Sequence, residues 1–217
     1  MVDLKDNIPD GPVEVPAAVR RFARGELEAV WRNELGGLTF RDGDRFLKWS
    51  PGDDLAAERE RLLWAAHYTP VPEILDGDEH VLVTRALPGA GAVTDYWRAR
   101  PEVAVRAIAE GLRAMHDSMP VAGCPWVWRP DDSEDLVVCH GDPCAPNTII
   151  GDDGRWSGHV DLGSLGIVNR WSDLAVCSMS LDWNFGEGWQ PVFFETYGIE
   201  PDGPRIHHYR ALWNDEP

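Results

Sequence analysis

The first 86 residues alternate short apolar runs with turn residues such as Gly36-Gly37 and Asp42-Gly43-Asp44. Runs of this length between turns predict antiparallel strands, the first three of which form a meander. The predicted strands are 27–32, 38–41, 45–49, 71–75 and 80–84. Residues 16–24 and 54–67 have a helical pattern instead. The second of these helices buries an apolar face and has Asp53 or Asp54 as its N-cap.

After residue 86 the spacing of apolar positions becomes mainly helical. Two short strands, 147–150 and 158–161, are expected on either side of a turn at 152–154. The predicted helices are 94–115 with a break at Pro101, 171–185, 188–197 and 201–213. This change of pattern predicts an α+β fold with two lobes. Residues 1–86 form a small antiparallel β-sheet lobe, and residues 87–217 form a mainly helical lobe.

Composition narrows the class of protein. The 217 residues carry a formal net charge of −17, which argues against a nucleic-acid partner and suits a cationic small molecule. No apolar run approaches the roughly 20 residues of a membrane span, so we expect no membrane association. The N-terminus lacks a signal-peptide pattern and the four cysteines show no framework spacing. These features predict a cytoplasmic protein with reduced thiols. We further expect a monomer or a weak dimer.

The segment from residue 137 to 163 carries the strongest chemical signal. Its apolar lead-in is followed by His140-Gly141-Asp142, then by Asn147 five residues after the aspartate, and later by Asp161-Leu162-Gly163. Two carboxylates and one carboxamide on a tight loop and the end of a following strand can meet at one point. Phosphoryl transfer needs such a set, because it uses one group to accept a hydroxyl proton and oxygen ligands for magnesium.

This segment resembles the catalytic and metal-binding loops of the aminoglycoside phosphotransferases, which are similar in fold to protein kinases. The kinase pattern has His-Arg-Asp five residues before Asn, followed by Asp-Phe-Gly. Gly141 in place of arginine is typical of the antibiotic kinases rather than of protein kinases. The resemblance implies a two-lobed kinase-like fold, in which residues 1–86 bind the nucleotide and residues 87–217 carry the catalytic and substrate-binding groups.

Roles in the catalytic lobe follow from the resemblance. Asp142 is the implied catalytic base, and Asn147 and Asp161 are the implied ligands of Mg²⁺. His140 is expected to face inward and support the loop rather than react. Asp173 is expected to open the following helix and to brace the loop through backbone hydrogen bonds, although an ordinary helix-start aspartate would fit the sequence as well.

Roles in the nucleotide-binding lobe also follow from the resemblance. Lys48 lies between apolar neighbours on the third strand, and Glu58 in the following helix, rather than Glu60, is its expected partner. Such a lysine contacts nucleotide phosphates in kinases, although an edge-strand lysine reaching water remains an alternative. The backbone from Thr84 to Ala86 is expected to bind the base. The nucleotide is ATP, with GTP left open. Residues 34–38 either approach phosphate or form a simple hairpin turn.

The acceptor side shows less of the family pattern. The nearest type phosphorylates the 3'-hydroxyl of kanamycin-like drugs, but only residues 127–135 stand where that type has a long helical insertion. The C-terminus also departs from the acidic-aromatic ending of that type. Trp183 and Trp189 are candidates for stacking on a sugar ring. Acidic candidates for binding the ammonium groups of a drug are Asp182, Glu187, Asp215 and Glu216.

The sequence patterns of two other functional classes are incomplete in this chain. Cys139, His140, Cys144 and His159 lack the paired spacing of a zinc site. No nucleophile elbow precedes a helix, because Ser164 misses that pattern by one residue. The resemblance therefore implies an enzyme, a phosphotransferase with an alcohol group as acceptor, which confers resistance to an aminoglycoside. The alternatives are a kinase of another small hydroxylated metabolite and a catalytically weak nucleotide-binding homologue.

Overall fold

The computed structural model describes residue 9 and residues 11–33, 35–52, 55–128 and 135–214. The chain forms two compact units. The first comprises the residues up to Ala66 together with Pro72–Ala86, and the second comprises His67–Val71 together with the residues from Leu87 onward. An antiparallel sheet dominates the first unit and helices dominate the second, which confirms the predicted α+β class.

The first unit is a five-stranded antiparallel sheet with two helices. Its strands are β1 (Glu28–Arg32), β2 (Leu38–Asp42), β3 (Arg45–Trp49), β4 (Ile74–Gly77) and β5 (Val81–Arg85), and its helices are α1 (Ala17–Arg20) and α2 (Ala56–Ala65). The strand order is β1-β2-β3-β5-β4, so the predicted meander is confirmed. Alternate residues of the strands face one core, as period-2 patterning requires. Its buried members are Val19, Leu38, Phe40, Leu47, Val81 and Val83.

The fourth strand differs from the prediction. Strand β4 begins at Ile74 rather than at residue 71 and continues to Gly77. Pro72 has no N–H to donate to a sheet, which explains why pairing starts after it. The reversal therefore lies later, where the side chain of Asp78 accepts hydrogen bonds from the N–H groups of His80 and Val81.

The second unit surrounds a larger helical core. Its helices are α3 (Asp95–Arg98), α4 (Pro101–Ser118), α5 (Trp171–Phe185), α6 (Gln190–Tyr197) and α7 (Gly203–Asn214). Its strands are β6 (Ala90–Gly91), β7 (Leu136–Cys139), β8 (Thr148–Ile150), β9 (Trp156–His159) and β10 (Gly166–Asn169). Strands β6, β8 and β9 form one antiparallel sheet, and β7 and β10 form another. The predicted helices are confirmed, with Pro101 at the start of α4, where it costs no hydrogen bond.

Helix α5 passes through the interior of this unit. Eight consecutive residues, 171–178, are buried, and the helix packs against α6 and α7. Its fully buried residues include three polar ones, Asp173, Ser178 and Ser180. Buried polar groups require hydrogen-bond partners. Asp173 and Ser180 find theirs in the loop that follows β7.

Two further observations bear on the class of protein. None of the described helices combines the length and apolar character that a bilayer crossing requires. All four cysteines have free thiols, and three of them, Cys124, Cys139 and Cys177, are buried.

Candidate active site

The loop after β7 carries the predicted catalytic residues. It runs from His140 to Cys144 and continues into a 3₁₀ turn, Ala145–Asn147, before β8 begins. Gly141 has φ +87°, and a Cβ at this position would lie 2.1 Å from the carbonyl oxygen of Ser164. Both the left-handed backbone and the close contact exclude a larger residue. The glycine that distinguishes this loop from that of protein kinases therefore has a local steric reason.

Asn147 orients the carboxylate of Asp142. Its carboxamide nitrogen donates to the backbone oxygen of Asp142 at 2.9 Å and to Oδ2 of the same residue at 3.1 Å. The other carboxylate oxygen, Oδ1, is buried and has no hydrogen-bond partner among the described residues. A buried acceptor without a partner is costly, which makes such an atom a candidate for contact with a ligand.

Asp161 is held beside Asn147 by the hairpin of β8 and β9. Thr148 pairs with His159, so Asn147 and Asp161 lie at the same end of the two strands. The N–H of Val160 donates to the backbone oxygen of Asn147 at 3.0 Å. Asp161 itself has φ 61°, a left-handed value that no other described non-glycine residue adopts. Strained backbone of this kind concentrates at functional sites.

The donor set of this region fits a magnesium ion. Asn147 uses its carboxamide nitrogen for Asp142, which leaves its carboxamide oxygen for another partner. Hard cations prefer carboxylate and carboxamide oxygens, and Asp142 contributes a buried oxygen that lacks a partner among the residues that the structure describes. Asn147 and Asp161 are thus placed at one site with suitable atoms. Their binding of Mg²⁺ remains a prediction.

His140 supports the loop from inside, as predicted. Its side chain is fully buried, Nδ1 lies 3.3 Å from the N–H of Asp142, and Nε2 lies 3.0 Å from the carbonyl oxygen of Val160. Because the backbone N–H can only donate, Nδ1 is the acceptor and Nε2 carries the proton. The imidazole therefore connects the start of the catalytic loop to the residue before Asp161.

Asp173 braces the catalytic loop from helix α5. Its Oδ2 accepts a hydrogen bond from the N–H of His140 at 2.7 Å, and its Oδ1 accepts one from Gly141 at 3.1 Å. Both bonds and the carboxylate are buried. The predicted bracing role is confirmed, and these contacts go beyond what an ordinary helix-start aspartate makes.

Two further buried side chains, His116 and Tyr197, support Asp173. His116 of α4 contacts Oδ2 of Asp173 through Nε2 at 3.0 Å and the hydroxyl of Tyr197 through Nδ1 at 2.8 Å. Burial alone would raise the pKa of Asp173, but the hydrogen bond and the electrostatic effect of His116, together with those of His140, hold it below the ordinary value. Burial raises the pKa of Tyr197 to about 12, so the phenol keeps its proton. The aspartate is therefore charged and fully paired.

The cysteine and histidine side chains nearby do not form a zinc site. His140 uses both ring nitrogens for backbone groups. A second group, His116, Cys139 and Asp173, has ligand atoms within 4.8 Å of one another, but hydrogen bonds occupy its histidine and aspartate. Burial raises the pKa values of Cys139 and Cys144 well above the ordinary thiol value.

The predicted pair of Lys48 and Glu58 is present in the first unit. Lys48 Nζ lies 2.7 Å from Glu58 Oε2, and the two side chains are 25% and 8% exposed. The pairing is confirmed, because β3 and α2 bring together residues ten positions apart. An ammonium held at this depth by a carboxylate is pre-positioned to meet an anion, as in kinases. Its contact with nucleotide phosphates remains a prediction.

The backbone groups proposed for the nucleotide are partly used within the fold. The N–H groups of Gly36 and Gly37 both donate to Asn33, which favours the hairpin reading of this turn. Glu34 lies outside the described residues. The N–H of Ala86 donates to the carbonyl oxygen of Asp44 at 2.8 Å, and Thr84 pairs with Phe46 across the sheet. A backbone hydrogen bond between Ala86 and a base would therefore have to use the carbonyl oxygen of Ala86.

The acceptor candidates fall into two groups. Asp182 is half-buried on α5 and accepts a hydrogen bond from Gln190 at 2.6 Å, while Glu187 is exposed in the turn between α5 and α6. Asp215 and Glu216 lie outside the described residues.

The two tryptophan candidates for stacking on a sugar ring differ in exposure. Trp183 is 44% exposed, whereas Trp189 packs against the helical core. Trp183 therefore has the more accessible ring. No contact in the structure tests any of these substrate roles.

Two residues that touch the catalytic machinery were missed from the sequence. His116 supports Asp173, and Ser180 accepts a hydrogen bond from the N–H of Ala145 at 3.0 Å. The available signal was spacing: Ser180 follows Asp173 by seven residues, which is close to two helical turns. A serine inside an apolar helical run gives no indication of its partner by itself.

Comparison with known proteins gives a consistent result. Residues 125–209 match the model of a family described as the phosphotransferase enzyme family. The chain is 31% identical to streptomycin 3''-kinase of Streptomyces griseus, covering 87% of this chain and 91% of the relative. It is also 31% identical to the aminoglycoside 3'-phosphotransferase of Streptomyces fradiae, covering 73% of this chain and 78% of the relative.

A solved structure shows the same similarity in three dimensions. Aminoglycoside phosphotransferase APH(3'')-Id from Streptomyces rimosus, in complex with ADP and streptomycin, aligns with a TM-score of 0.70 and 25% identity. The alignment covers 90% of this chain and 95% of that structure. The kinase-like α+β fold expected from the catalytic motif is therefore confirmed.

Proposed function

The chain belongs to the aminoglycoside phosphotransferase family, and we propose that it transfers the γ-phosphoryl group of ATP to a hydroxyl group of an aminoglycoside. Membership of this family makes it an enzyme that transfers phosphate to an alcohol. The observation that carries the proposal is the carboxylate of Asp142. Asn147 holds one of its oxygens, and the other is buried without a partner in the described part of the chain.

The proposal assigns a side chain or backbone group of this chain to each part of the reaction. Asp142 orients the acceptor hydroxyl and takes its proton as the phosphoryl group is transferred. Asn147 and Asp161 hold Mg²⁺, which when bound neutralises charge on the phosphoryl oxygens. Lys48, fixed by Glu58, contacts the α- and β-phosphates, and the backbone of Thr84 and Ala86 contacts the base. Catalysis is then positioning and electrostatic stabilisation.

The acceptor is a cationic molecule. A net charge of −17 favours the approach of polyamines, and Asp182, Glu187, Asp215 and Glu216 are the proposed partners of the ammonium groups. A single exposed ion pair contributes only about 0–1 kcal/mol, so affinity requires several converging carboxylates. The similarity to the aminoglycoside 3'-phosphotransferase of Streptomyces fradiae supports the 3'-hydroxyl as the acceptor.

The 3''-hydroxyl of streptomycin is the second candidate. The streptomycin 3''-kinase relative aligns over a larger share of this chain than the 3'-phosphotransferase, at the same 31% identity. The acceptor segment at residues 127–135 is also shorter than the insertion expected for the kanamycin type. Both candidates use the same catalytic loop and differ only in how the drug is held.

The reaction has a direct biological consequence. Phosphorylation adds a charge of about −1.5 to −2 and blocks a hydroxyl, so the modified drug binds poorly where an unmodified cation is recognised. The enzyme would thus confer resistance. Because the reaction consumes a nucleotide that is supplied in the cytoplasm, we propose that the enzyme acts there. We take the nucleotide to be ATP and the protein to act as a monomer or a weak dimer.

The proposal is tested by the product. Purified protein is incubated with MgATP and kanamycin, 3'-deoxykanamycin, streptomycin, choline and a neutral sugar, and ADP release and ³¹P-coupled NMR of the product are measured. Transfer to kanamycin but not to its 3'-deoxy analogue supports the 3' assignment, and transfer to streptomycin supports the 3'' assignment. Turnover confined to choline or the sugar contradicts both and points to a metabolite kinase.

A further inference from the structure

Helix α5 presents two fully buried polar side chains toward the catalytic loop. Asp173 and Ser180 are separated by seven residues, so they lie on the same face of the helix about 10 Å apart along its axis. Asp173 holds the N–H groups at the start of the loop. Ser180 holds the N–H of Ala145 at 3.0 Å, further along the loop.

The residue that Ser180 holds determines where Asn147 lies. Ala145 opens the 3₁₀ turn that ends at Asn147, and the turn is closed by the N–H of Asn147 donating to Cys144 at 2.9 Å. Three residues in a tight turn have little freedom once one end is fixed. The position of the Ala145 N–H therefore sets the direction from which the Asn147 carboxamide reaches Asp142.

Ser180 is itself oriented by a second pair of residues. The carboxamide nitrogen of Asn184 donates to the backbone oxygen of Ser180 at 2.8 Å and to its hydroxyl oxygen at 3.2 Å. The carboxamide oxygen accepts from Nη2 of Arg98 at 3.3 Å. Arginine can only donate, so Asn184 must present its oxygen to Arg98 and its nitrogen to Ser180. The hydrogen bonds thus connect α3, α5 and the loop.

We propose that Ser180, oriented by Asn184 and Arg98, is a positioning residue that fixes the metal-binding Asn147 relative to the catalytic Asp142. The inference rests on the proposed function, because it assigns Ser180 a part in the same reaction. Ser180 touches neither substrate nor reacting atoms. It acts through the backbone of Ala145.

Loss of the hydroxyl has a defined physical consequence. In Ser180→Ala the N–H of Ala145 is buried without an acceptor, and the loop must shift to satisfy it. We expect kcat to fall about 10- to 100-fold, because Asn147 and Asp142 act on the transition state. The KM for ATP should change little. The magnesium concentration that gives half-maximal rate should rise, since Asn147 is displaced.

Three variants separate this role from simple packing. Ser180→Thr keeps the hydroxyl and should recover most of the lost rate. Asn184→Ala leaves Ser180 in place but removes its orienting donor, and should lower kcat about 3-fold or more. Ser178→Ala is the matched control, because Ser178 is equally buried on the same helix but donates to Ala175 rather than contacting the loop. It should keep wild-type kcat and magnesium dependence.

Amide hydrogen exchange at Ala145, measured by NMR without nucleotide, provides a readout that does not depend on activity. Faster exchange in Ser180→Ala than in Ser178→Ala, together with the lower kcat and altered magnesium dependence, supports the proposal. Equal exchange, or a fall in rate that Ser178→Ala reproduces, overturns it. If wild-type protein phosphorylates no aminoglycoside, the proposed function fails, while exchange at Ala145 still tests the anchoring role of Ser180.

Discussion

Replacing Asp173 with asparagine removes a charge at the point where the catalytic loop is braced. The carboxylate accepts three hydrogen bonds, from the N–H groups of His140 and Gly141 and from Nε2 of His116. Asparagine has nearly the same shape but only one acceptor oxygen. If that oxygen takes the Oδ2 position, it keeps the bonds from His140 and His116, and the amide NH₂ then faces the N–H of Gly141.

The cost follows from these contacts. The hydrogen bond from Gly141 is replaced by a repulsive contact between two donors. The hydrogen bonds from His140 and His116 remain, but they lose the negative charge that strengthened them. Hydrogen bonds to charged groups contribute about 1.5–3 kcal/mol, so we expect the free energy of unfolding to fall by that amount. For a chain of this length the melting temperature should drop by about 3–12 °C. The loop shift should also lower kcat, because His140 and Gly141 immediately precede Asp142.

The pH dependence of the effect carries a definite sign. The pKa of Asp173 is held below its ordinary value of 3.8 in the folded state, so its stabilising contribution is fully present above that value and is lost as pH falls through the folded pKa. The difference between wild type and Asp173→Asn should therefore be constant from pH 8 to 5 and shrink below about pH 4.

The assay is urea unfolding followed by circular dichroism at several pH values, with Asp182→Asn as a control. Asp182 lies on the same helix but is half-exposed, so its substitution should cost less than about 1 kcal/mol. An unchanged free energy of unfolding for Asp173→Asn would refute the reasoning. A stability difference that grows at acid pH would refute it equally.

Two other predictions concern the nucleotide side and the buried histidines. Lys48→Met keeps the apolar stem but removes the charge paired with Glu58. Steady-state kinetics should show a fall of roughly 100-fold in kcat/KM for ATP, and unchanged kinetics would contradict the assigned role. Burial, with His140 and His116 adding to it, holds the pKa of His159 well below its ordinary value of 6.5, so below that pH the unfolded chain binds a proton that the folded chain does not. The free energy of unfolding should then fall with decreasing pH by at most about 1.4 kcal/mol per pH unit from this group. In thermal melts at several pH values, His159→Leu should lose less stability per pH unit than wild type. An equal loss in the two proteins would contradict this prediction.

Much of the fold and part of the site were accessible from the sequence. Helix α5 has the predicted bounds, Trp171–Phe185, because a long apolar period leaves little ambiguity. The pair of Lys48 and Glu58 was predicted because the kinase-like pattern specifies a strand lysine and a helix glutamate.

The misses have local physical causes. The predicted strand 158–161 is present but lies two residues earlier, because β9 runs from Trp156 to His159. The left-handed conformation of Asp161 excludes this residue from the strand. Aspartate adopts that conformation more often than most residues, but nothing in the sequence singles out Asp161 among the aspartates. His116 and Ser180 were missed because their partners, Asp173 and Ala145, are 57 and 35 positions away in the chain. Only the packed structure brings them together.

The most direct test of the central claim compares wild-type protein with Asp142→Asn in magnesium-dependent ADP release stimulated by aminoglycosides. Asparagine preserves the size of the side chain but cannot take the proton of the acceptor hydroxyl. We predict drug-stimulated turnover by wild type, and a loss of about 100-fold or more in the variant with ATP binding retained. Equal turnover in the two proteins would contradict the assignment of Asp142 as the catalytic base.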